Sequence, residues 1–504
     1  MIFYISGARA GSDLPNVIVI LADDLGYADV GFHKVSEPDV STPHLDQLAA
    51  SGAVFEDAYS SSPVCSNSRL SLLTGRYAQR WGAYYYGQGG LPTSEKTTAE
   101  MLLKAGYRTM KVGKTHLNKG PKEPPTKHGF ERSLSFIHHS WDFNMLSQKD
   151  VDAYNRKKPG SAKQATQCPF GPLTRNDEEA VSFENTTTTE VFGQESIRFI
   201  KEKSDKPFYL QLEFNAVHTP LIRPPEQLAE KYGIPLRPFD RDAEVWEFPL
   251  WDPVRQPDFK VWYSDTCHLK VVDPYGRKIY LAHLELMDSV IGQIMQTLED
   301  KGIAENTLIF FSSDNGGSDQ SYANNGTING YKYSLINGGI QVPMILSWPK
   351  GIPAGTRIGA TVTHRDLYAS LAEIVGVTPE QLLDGKSLLP LISGEAEALH
   401  TGPIFWDSGQ KQQNWVARQG DWKLLYYGKG RSYQSYELDE QGLVKPKLRT
   451  VRIEPGLKLY NLADDPGETK DLAQQHPERV SAMQKLYTQW RSGMSDEKSG
   501  RNAK

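Results

Sequence analysis

The stretch NVIVILADDLGYADVG, Asn16 to Gly31, decides the fold. Its first six residues, Asn16 to Leu21, form a continuous β-branched run too short for a helix, and read as a strand buried on both faces, as in a parallel sheet. Similar runs recur at YRTMKVG (Tyr107 to Gly113), FYLQLEF (Phe208 to Phe214), TLIFFSS (Thr307 to Ser313) and VPMILSW (Val342 to Trp348). Helical patterns sit between them. TPHLDQLAASG (Thr42 to Gly52) opens on a cap-type Thr and stops at Gly, and Tyr280 to Gly302 carries apolar residues at helical spacing. Strands alternating with helices over about 350 residues predict an α/β sheet covered on both faces.

Length and charge narrow the function. The 504 residues suggest two or three domains, or one large α/β domain with an appendage. Lys and Arg number 56 against 61 Asp and Glu, a net charge of −5, so no basic excess exists to clamp a phosphate backbone and nucleic acid is not the expected partner. No apolar run approaches about 18 residues, so no membrane span is expected. The three cysteines, Cys65, Cys168 and Cys267, are too few for a disulfide framework, and the odd number leaves at least one unpaired; Cys168 and Cys267 are free to pair or not. MIFYISGARA at the start ends in an A-x-A-like cleavage site at Ala8-Arg9-Ala10 but lacks a positive beginning, so an export-signal stub and a disordered start fit residues 1–12 equally.

Two stretches break the rhythm, 135–185 and the aromatic-rich 222–278 with Trp246, Trp251, Trp262 and Tyr263. Loops of that length are functional or disordered. After Ser387 to Glu395 the composition changes, and short strand-like segments such as Trp415 to Gly428 take over. An amphipathic helix with Val480, Met483, Leu486, Tyr487 and Trp490 on one side follows, ended by Gly493. The expected division is a main domain over 13–395, a smaller subdomain over 396–493 and a solvated tail over 494–504.

The chemistry-bearing residues cluster at predicted element ends. Asp23-Asp24 follows the first strand and Asp314-Asn315-Gly316-Gly317 follows another. Alone, each pattern serves as a turn or cap as readily as a site. Parallel strands, however, present their carboxyl ends on one side of the sheet, where ligands bind. Three carboxylates and an amide oxygen form a hard, all-oxygen set suited to Ca²⁺ or Mg²⁺. CSNSRLSLLTGR (Cys65 to Arg76) reads as a helix start with Gly75 as its stop, which puts Cys65 at the positive helix end and Arg69 four residues on along the same face. Lys114 and His116 stand two apart after Gly113, pointing the same way if the chain stays extended. His218 follows the strand that starts at Phe208, and Lys332 sits in the glycine-flanked loop NGYKYSLINGG, where an isolated Lys would ordinarily be a solvated charge. Together they supply an acidic cation site, a nucleophile, three cations and two imidazoles, the local cluster that a negatively charged protein needs to hold an anion.

In the order and spacing of NVIVILADDLGYADVG, CSNSRLSLLTGRY, YRTMKVGKTHLN, KPFYLQLEFNAVHTPL, NTLIFFSSDNGG, GGIQVP and KLYNLADDPGETKDLA, the chain resembles the formylglycine-dependent sulfatase family of the alkaline phosphatase superfamily. The resemblance implies a large mixed, mostly parallel sheet with helices on both faces over 13–395, as in alkaline phosphatase, plus a C-terminal α+β subdomain with a short antiparallel sheet. It implies that Cys65 is oxidised to formylglycine by a maturation enzyme. Asp23, Asp24, Asp314 and Asn315 would ligate one Ca²⁺ together with residue 65, and Arg69 would support the formylglycine. Lys114 and Lys332 would hold the sulfate, with His116 partnering the hydrated aldehyde and His218 protonating the leaving alcohol. The implied reaction is a two-step hydrolysis in which one hydroxyl of the hydrated aldehyde attacks sulfur and the other expels sulfate as the aldehyde re-forms.

The chain departs from the family pattern at three places. Asn67 stands where the maturation signal carries Pro or Ala, and Asn337 and Gln341 replace an acidic residue and an Arg, which bears on substrate contacts. The expected substrate is a sulfated carbohydrate met in the periplasm or outside the cell. Tyr84-Tyr85-Tyr86 and the Trp246–Tyr263 stretch either stack on sugar rings or pack internally. The competing readings are a phosphonate or phosphate ester hydrolase of the same superfamily, and a sulfated-glycan binder whose Cys65 is never oxidised.

Overall fold

The structure is a computed structural model, and it describes residues 14–86, 88–117, 124–136, 144–145, 173–176, 178–181, 186–219, 224–235, 269–270 and 272–495. Outside the described residues lie the export-signal reading of 1–12, Cys168 and Cys267, the aromatic stretch with Trp246, Trp251, Trp262 and Tyr263, and the tail beyond 495.

The run Asn16–Ala22 forms β1, and nine further strands complete its sheet. They are β2 (Ala53–Phe55), β3 (Arg108–Gly113), β4 (Arg132–Phe136), β5 (Leu173–Arg175), β6 (Glu178–Val181), β7 (Phe208–Glu213), β8 (Thr307–Ser313), β9 (Met344–Ser347) and β10 (Thr356–Ile358). Their spatial order is β10-β2-β9-β8-β1-β7-β3-β4-β5-β6. The central five, β8, β1, β7, β3 and β4, all run parallel. β9 is antiparallel to both its neighbours, so the run from Val342 does not belong to the parallel set. Its apolar sequence reports burial on two faces, which a strand of either direction can have.

Side chains of β1 alternate between two cores. Ile18 and Ile20 join the helices α1 (Pro43–Ala50), α4 (Thr188–Lys201) and α5 (Gly276–Asp300) through Leu48, Phe192 and Ile291. Val17, Val19 and Leu21 face α2 (Cys65–Thr74), α3 (Thr98–Lys104) and α6 (Asp366–Val375) through Leu72, Leu102 and Leu371. Each fully buried aliphatic contributes about 1.5–3 kcal/mol. The sheet is therefore mixed, with a parallel centre and helices on both faces.

The C-terminal part adds a four-stranded antiparallel sheet, β11 (Ile404–Asp407), β12 (Asn414–Gln419), β13 (Trp422–Tyr427) and β16 (Gly456–Asn461). Between β13 and β16 a separate two-stranded ribbon pairs β14 (Arg431–Ser435) with β15 (Arg449–Ile453). One face of the four-stranded sheet, with Leu425 and Trp406, packs on Tyr59, Leu335 and Ile340 of the main domain. The other, with Leu424 and Phe405, is covered by Met483 and its neighbours on α7 (Pro477–Ser492). Gly493 follows that helix with φ −86°, so the helix stops there without a left-handed cap.

Candidate active site

Four adjacent parallel strands, β8, β1, β7 and β3, end on one edge of the sheet, and the chain leaves each end carrying polar groups. β1 runs into Asp23 and Asp24, β8 into Asp314 and Asn315, and β3 into Lys114. His218 lies five residues beyond β7. Cys65 is the first residue of α2, whose last turn closes at Gly75 with φ 68°, and Lys332 comes from the loop after β8. Asp23, Asp24, Lys114, Asp314 and Asn315 are fully buried. Lys332, which alone reads as a solvated charge, is only 4% exposed. Its Nζ stands 2.8 Å from Asp24 Oδ1.

The acids and bases interlock. Lys114 pairs with Asp23, and the Asp24 backbone N–H donates to Asp314 Oδ1 at 3.3 Å. Asn315 Nδ2 donates to Asp24 Oδ1 at 2.8 Å. Arg69 donates through Nε and Nη2 to Asp314 Oδ2 at 2.9 and 2.7 Å, and its Nη2 lies 3.7 Å from Asp23. Asp24 takes φ 62°, a left-handed conformation that costs a non-glycine residue about 1–3 kcal/mol and recurs at functional sites. Burial raises the Asp314 carboxyl, and Asp23 adds to that rise. Burial pulls Lys332 down, but Asp24 outweighs it and holds the ammonium well above its ordinary value.

These residues fit a hard divalent cation. Asp23, Asp24 and His218 offer ligand atoms within 4.8 Å of one another. Among the described residues, Asp23 Oδ1 and Asn315 Oδ1 are buried oxygens that accept no hydrogen bond, a condition a cation relieves.

Burial raises the Cys65 thiol, and Lys114 and Lys332 oppose that rise. His218 Nδ1 faces the Thr219 carbonyl, which only accepts, so Nδ1 carries the proton and Nε2 is left to exchange one. Nε2 lies 3.6 Å from Asp24. Burial first, and Lys332 second, push this imidazole well below its usual range. His116 does not continue an extended chain beside Lys114. Gly113 takes φ 94° and His116 φ 50°, so the backbone turns there and the expected shared direction loses its basis. The His116 ring instead meets Tyr86 edge-on at 5.8 Å.

Several residues at this edge escape the sequence reading. Glu213, at the end of β7, accepts from Arg69 Nη1, and Lys111 Nζ stands 2.6 Å from its other oxygen. Both are buried, and Gln211 also donates to Glu213. Burial would raise this carboxyl, yet Lys111 and Arg69 hold it below its ordinary value. A charge inside each apolar run, YRTMKVG and FYLQLEF, was the available signal, since a strand buried on both faces cannot leave a charge unpaired. The turn after Asp24 is held by the Gly26 N–H donating to the Tyr280 hydroxyl at 3.2 Å. That hydroxyl donates to Asp29 at 2.7 Å, and Asp29 pairs with Arg277 at 2.8 Å.

The three departures make internal contacts. Asn67 is buried beside Ser66, whose hydroxyl donates to its Oδ1 at 3.0 Å. Asn337 Oδ1 accepts from Lys423 at 2.7 Å, and Gln341 Nε2 donates to the Glu56 carbonyl at 3.3 Å. Asn337 and Gln341 thus each tie one segment to another. Of the three tyrosines, Tyr84 is fully buried, its hydroxyl donating to the Ser495 carbonyl at 2.6 Å, while Tyr86 is 47% exposed.

The model of the sulfatase family matches residues 15–377. The chain is 28% identical over 507 residues to N-acetylgalactosamine-6-sulfatase of Homo sapiens, covering 95% of this chain and 85% of the relative. It is 29% identical to arylsulfatase A of Homo sapiens over 496 residues, 94% of this chain and 87% of that one. Among solved structures, Ps i-CgsB in complex with k-i-k-neocarrahexaose superposes with a TM-score of 0.74 at 27% identity, covering 96% of this chain and 94% of that one.

Proposed function

Because the chain belongs to the sulfatase family and is a sulfuric ester hydrolase, we propose that it removes sulfate from a carbohydrate, with residue 65 acting as formylglycine beside one Ca²⁺. What supports this reading is the meeting of Asp23, Asp24, Asp314, Asn315, Lys114, Lys332, His218 and Cys65 at one sheet edge, with two buried oxygens left free to accept. Asp23, Asp24, Asp314 and Asn315 would hold the ion, with residue 65 as a further ligand. When present, the ion supplies Lewis acidity and the hydrated aldehyde supplies the nucleophile.

The chain's own residues do the rest. Lys114 and Lys332 stand on either side of the aspartate pair and neutralise the oxygens of an entering sulfate ester. Arg69, locked between Asp314 and Glu213, keeps the helix start and the strand end in one register. His218 Nε2 is the proton donor to the departing alcohol; an anionic ester beside it offsets the burial that now keeps the ring neutral. His116, steadied by Tyr86, takes the proton when the second hydroxyl releases sulfate. A sulfated polysaccharide places the substrate outside the cytoplasm, and a dedicated enzyme must oxidise Cys65.

Two measurements test this. Mass spectrometry of the peptide spanning Cys65 from the native host should show a loss of about 18 Da, the thiol-to-aldehyde change. Release of sulfate from an aryl sulfate should exceed release of phosphate from the matched aryl phosphate. Faster phosphate release overturns the sulfatase reading, and unmodified Cys65 with glycan binding but no turnover replaces it with a binder.

A further inference from the structure

The ribbon β14–β15 brings a cation to the mouth of this site from far along the chain. Tyr433 and Arg431 stand two apart on β14, hence on one face, opposite Val451 and Ile453. Tyr433 packs edge-on against Tyr331 at 5.3 Å, and Arg431 then lies over the ring of Tyr333 at 5.4 Å. The ribbon is thus docked along the 331–333 loop, the loop that carries Lys332. Lys332 Nζ is 5.3 Å from the centre of that same Tyr333 ring, so the two cations stand no more than about 11 Å apart, the two ring distances laid end to end.

The surroundings of Arg431 are those of a binding group. Among the described residues, no carboxylate pairs with it within 4.0 Å. Burial raises the Tyr85 hydroxyl, and Arg431 beside it opposes that rise. Tyr85 packs against Tyr333 at 6.3 Å. Tyr85, Tyr333 and Arg431 are all partly exposed, and Tyr86 next to them is the more open. A guanidinium over an aromatic ring, with one donor directed to the Tyr85 hydroxyl, keeps further donors of its fork for a two-oxygen partner such as sulfate or carboxylate.

We infer that Arg431, seated on Tyr333 beside Tyr85, is a second anion subsite that holds a further sulfate or carboxylate of the same glycan. The preferred substrate is then an oligosaccharide with a negative group on the sugar next to the one desulfated, an assignment that rests on reading position 65 as the sulfate-cleaving centre. Tyr86 offers its exposed face to the sugar between the two charges. The overall charge of −5 repels a polyanion, so a second local cation is what makes a doubly charged ligand bind better than a singly charged one.

The test uses the full, matured chain and three probes: 6-sulfated N-acetylgalactosamine, its disaccharide with an adjoining uronic acid, and that disaccharide as the methyl ester. A disaccharide bearing a second sulfate in place of the carboxylate separates the two sources of charge. Each is measured for affinity by calorimetry and for kcat and KM by sulfate release. For the wild type, the second charge should tighten binding and lower KM by about tenfold, the size of one charge-assisted hydrogen bond pair. Arg431→Gln should erase that advantage, so that its loss on the doubly charged probes exceeds its loss on the singly charged ones by the same factor. Arg431→Lys should recover part of it. Equal losses on all probes overturn the subsite, and so does a wild type indifferent to the second charge, a result that stands even if Arg431→Gln does not fold. Arg431-dependent binding without turnover keeps the subsite and refutes the sulfatase mechanism instead.

Discussion

Replacing Glu213 by Gln isolates the buried charge group beneath the site. In the native protein one carboxylate faces two cations, Arg69 on one oxygen and Lys111 at 2.6 Å on the other, with no solvent exposure of any of the three side chains beyond 1%. The substituted amide keeps the shape but turns an N–H toward a cation and strips Lys111 of its counter-charge. Burial already pulls Lys111 down to about 8 with its partner in place, so without that partner it releases its proton or stays charged at high cost. Arg69 keeps Asp314 and Asp23 and suffers less. Removing one member of a buried pair costs about 3–5 kcal/mol. At roughly 2.1 cal/mol/K per residue over the 504 residues, that is a fall in Tm of about 3–5 °C. Differential scanning calorimetry of wild type, Glu213→Gln, Lys111→Met and the double variant closes a thermodynamic cycle. The double variant removes the stranded ammonium and should be destabilised by at least about 1 kcal/mol less than the sum of the single losses. A Glu213→Gln shift below about 1 °C, or strict additivity in the double, would refute the argument that these strands are tied by this charge group.

Chelation with EGTA should abolish sulfate release and lower Tm, and added Ca²⁺ should restore both; a ligand at a hundred times its Kd stabilises by about 2.7 kcal/mol. A matured protein that keeps full activity after stripping contradicts the acidic site at Asp23, Asp24 and Asp314. His364, buried between the Ser68 and Ser312 hydroxyls, is pushed down to about 3 by burial. Because the unfolded chain binds a proton near pH 6.5 that the native state refuses, stability falls as pH drops from about 6.5 toward 3, by about 1.4 kcal/mol per unit. Urea midpoints of His364→Gln should show a shallower acid limb than wild type, and identical limbs would count against a neutral buried ring. Gly113→Ala should cost more than about 3 kcal/mol or prevent folding, since the residue sits at φ 94° and an added Cβ would run into the Glu213 carbonyl oxygen. A soluble Gly113→Ala protein with wild-type Tm would mean that Lys114 is not held as described.

Much of this protein was legible along the chain. Short, largely apolar runs too short for helices marked β1, β3, β7 and β8, and the polar groups that follow them made Asp23, Asp24, Asp314, Asn315 and Lys114 legible as edge residues. Cys65 and Gly75 fixed the two ends of α2 in the same local way. Those features depend on neighbours a few residues apart, which is the range over which propensity, capping and alternation act. Strand order is another matter. That β8, β1, β7 and β3 lie side by side, so that four separate ends meet, depends on which faces the helices cover once the sheet closes. The Arg69–Glu213–Lys111 group joins α2 to β7, 144 positions away in the chain, and to β3 beside it. Arg431 meets the Tyr333 ring where its ribbon docks, Tyr433 packing on Tyr331. No local signal encodes such partners: a buried charge announces that it needs a counter-charge, and only the packed tertiary structure decides which one it meets.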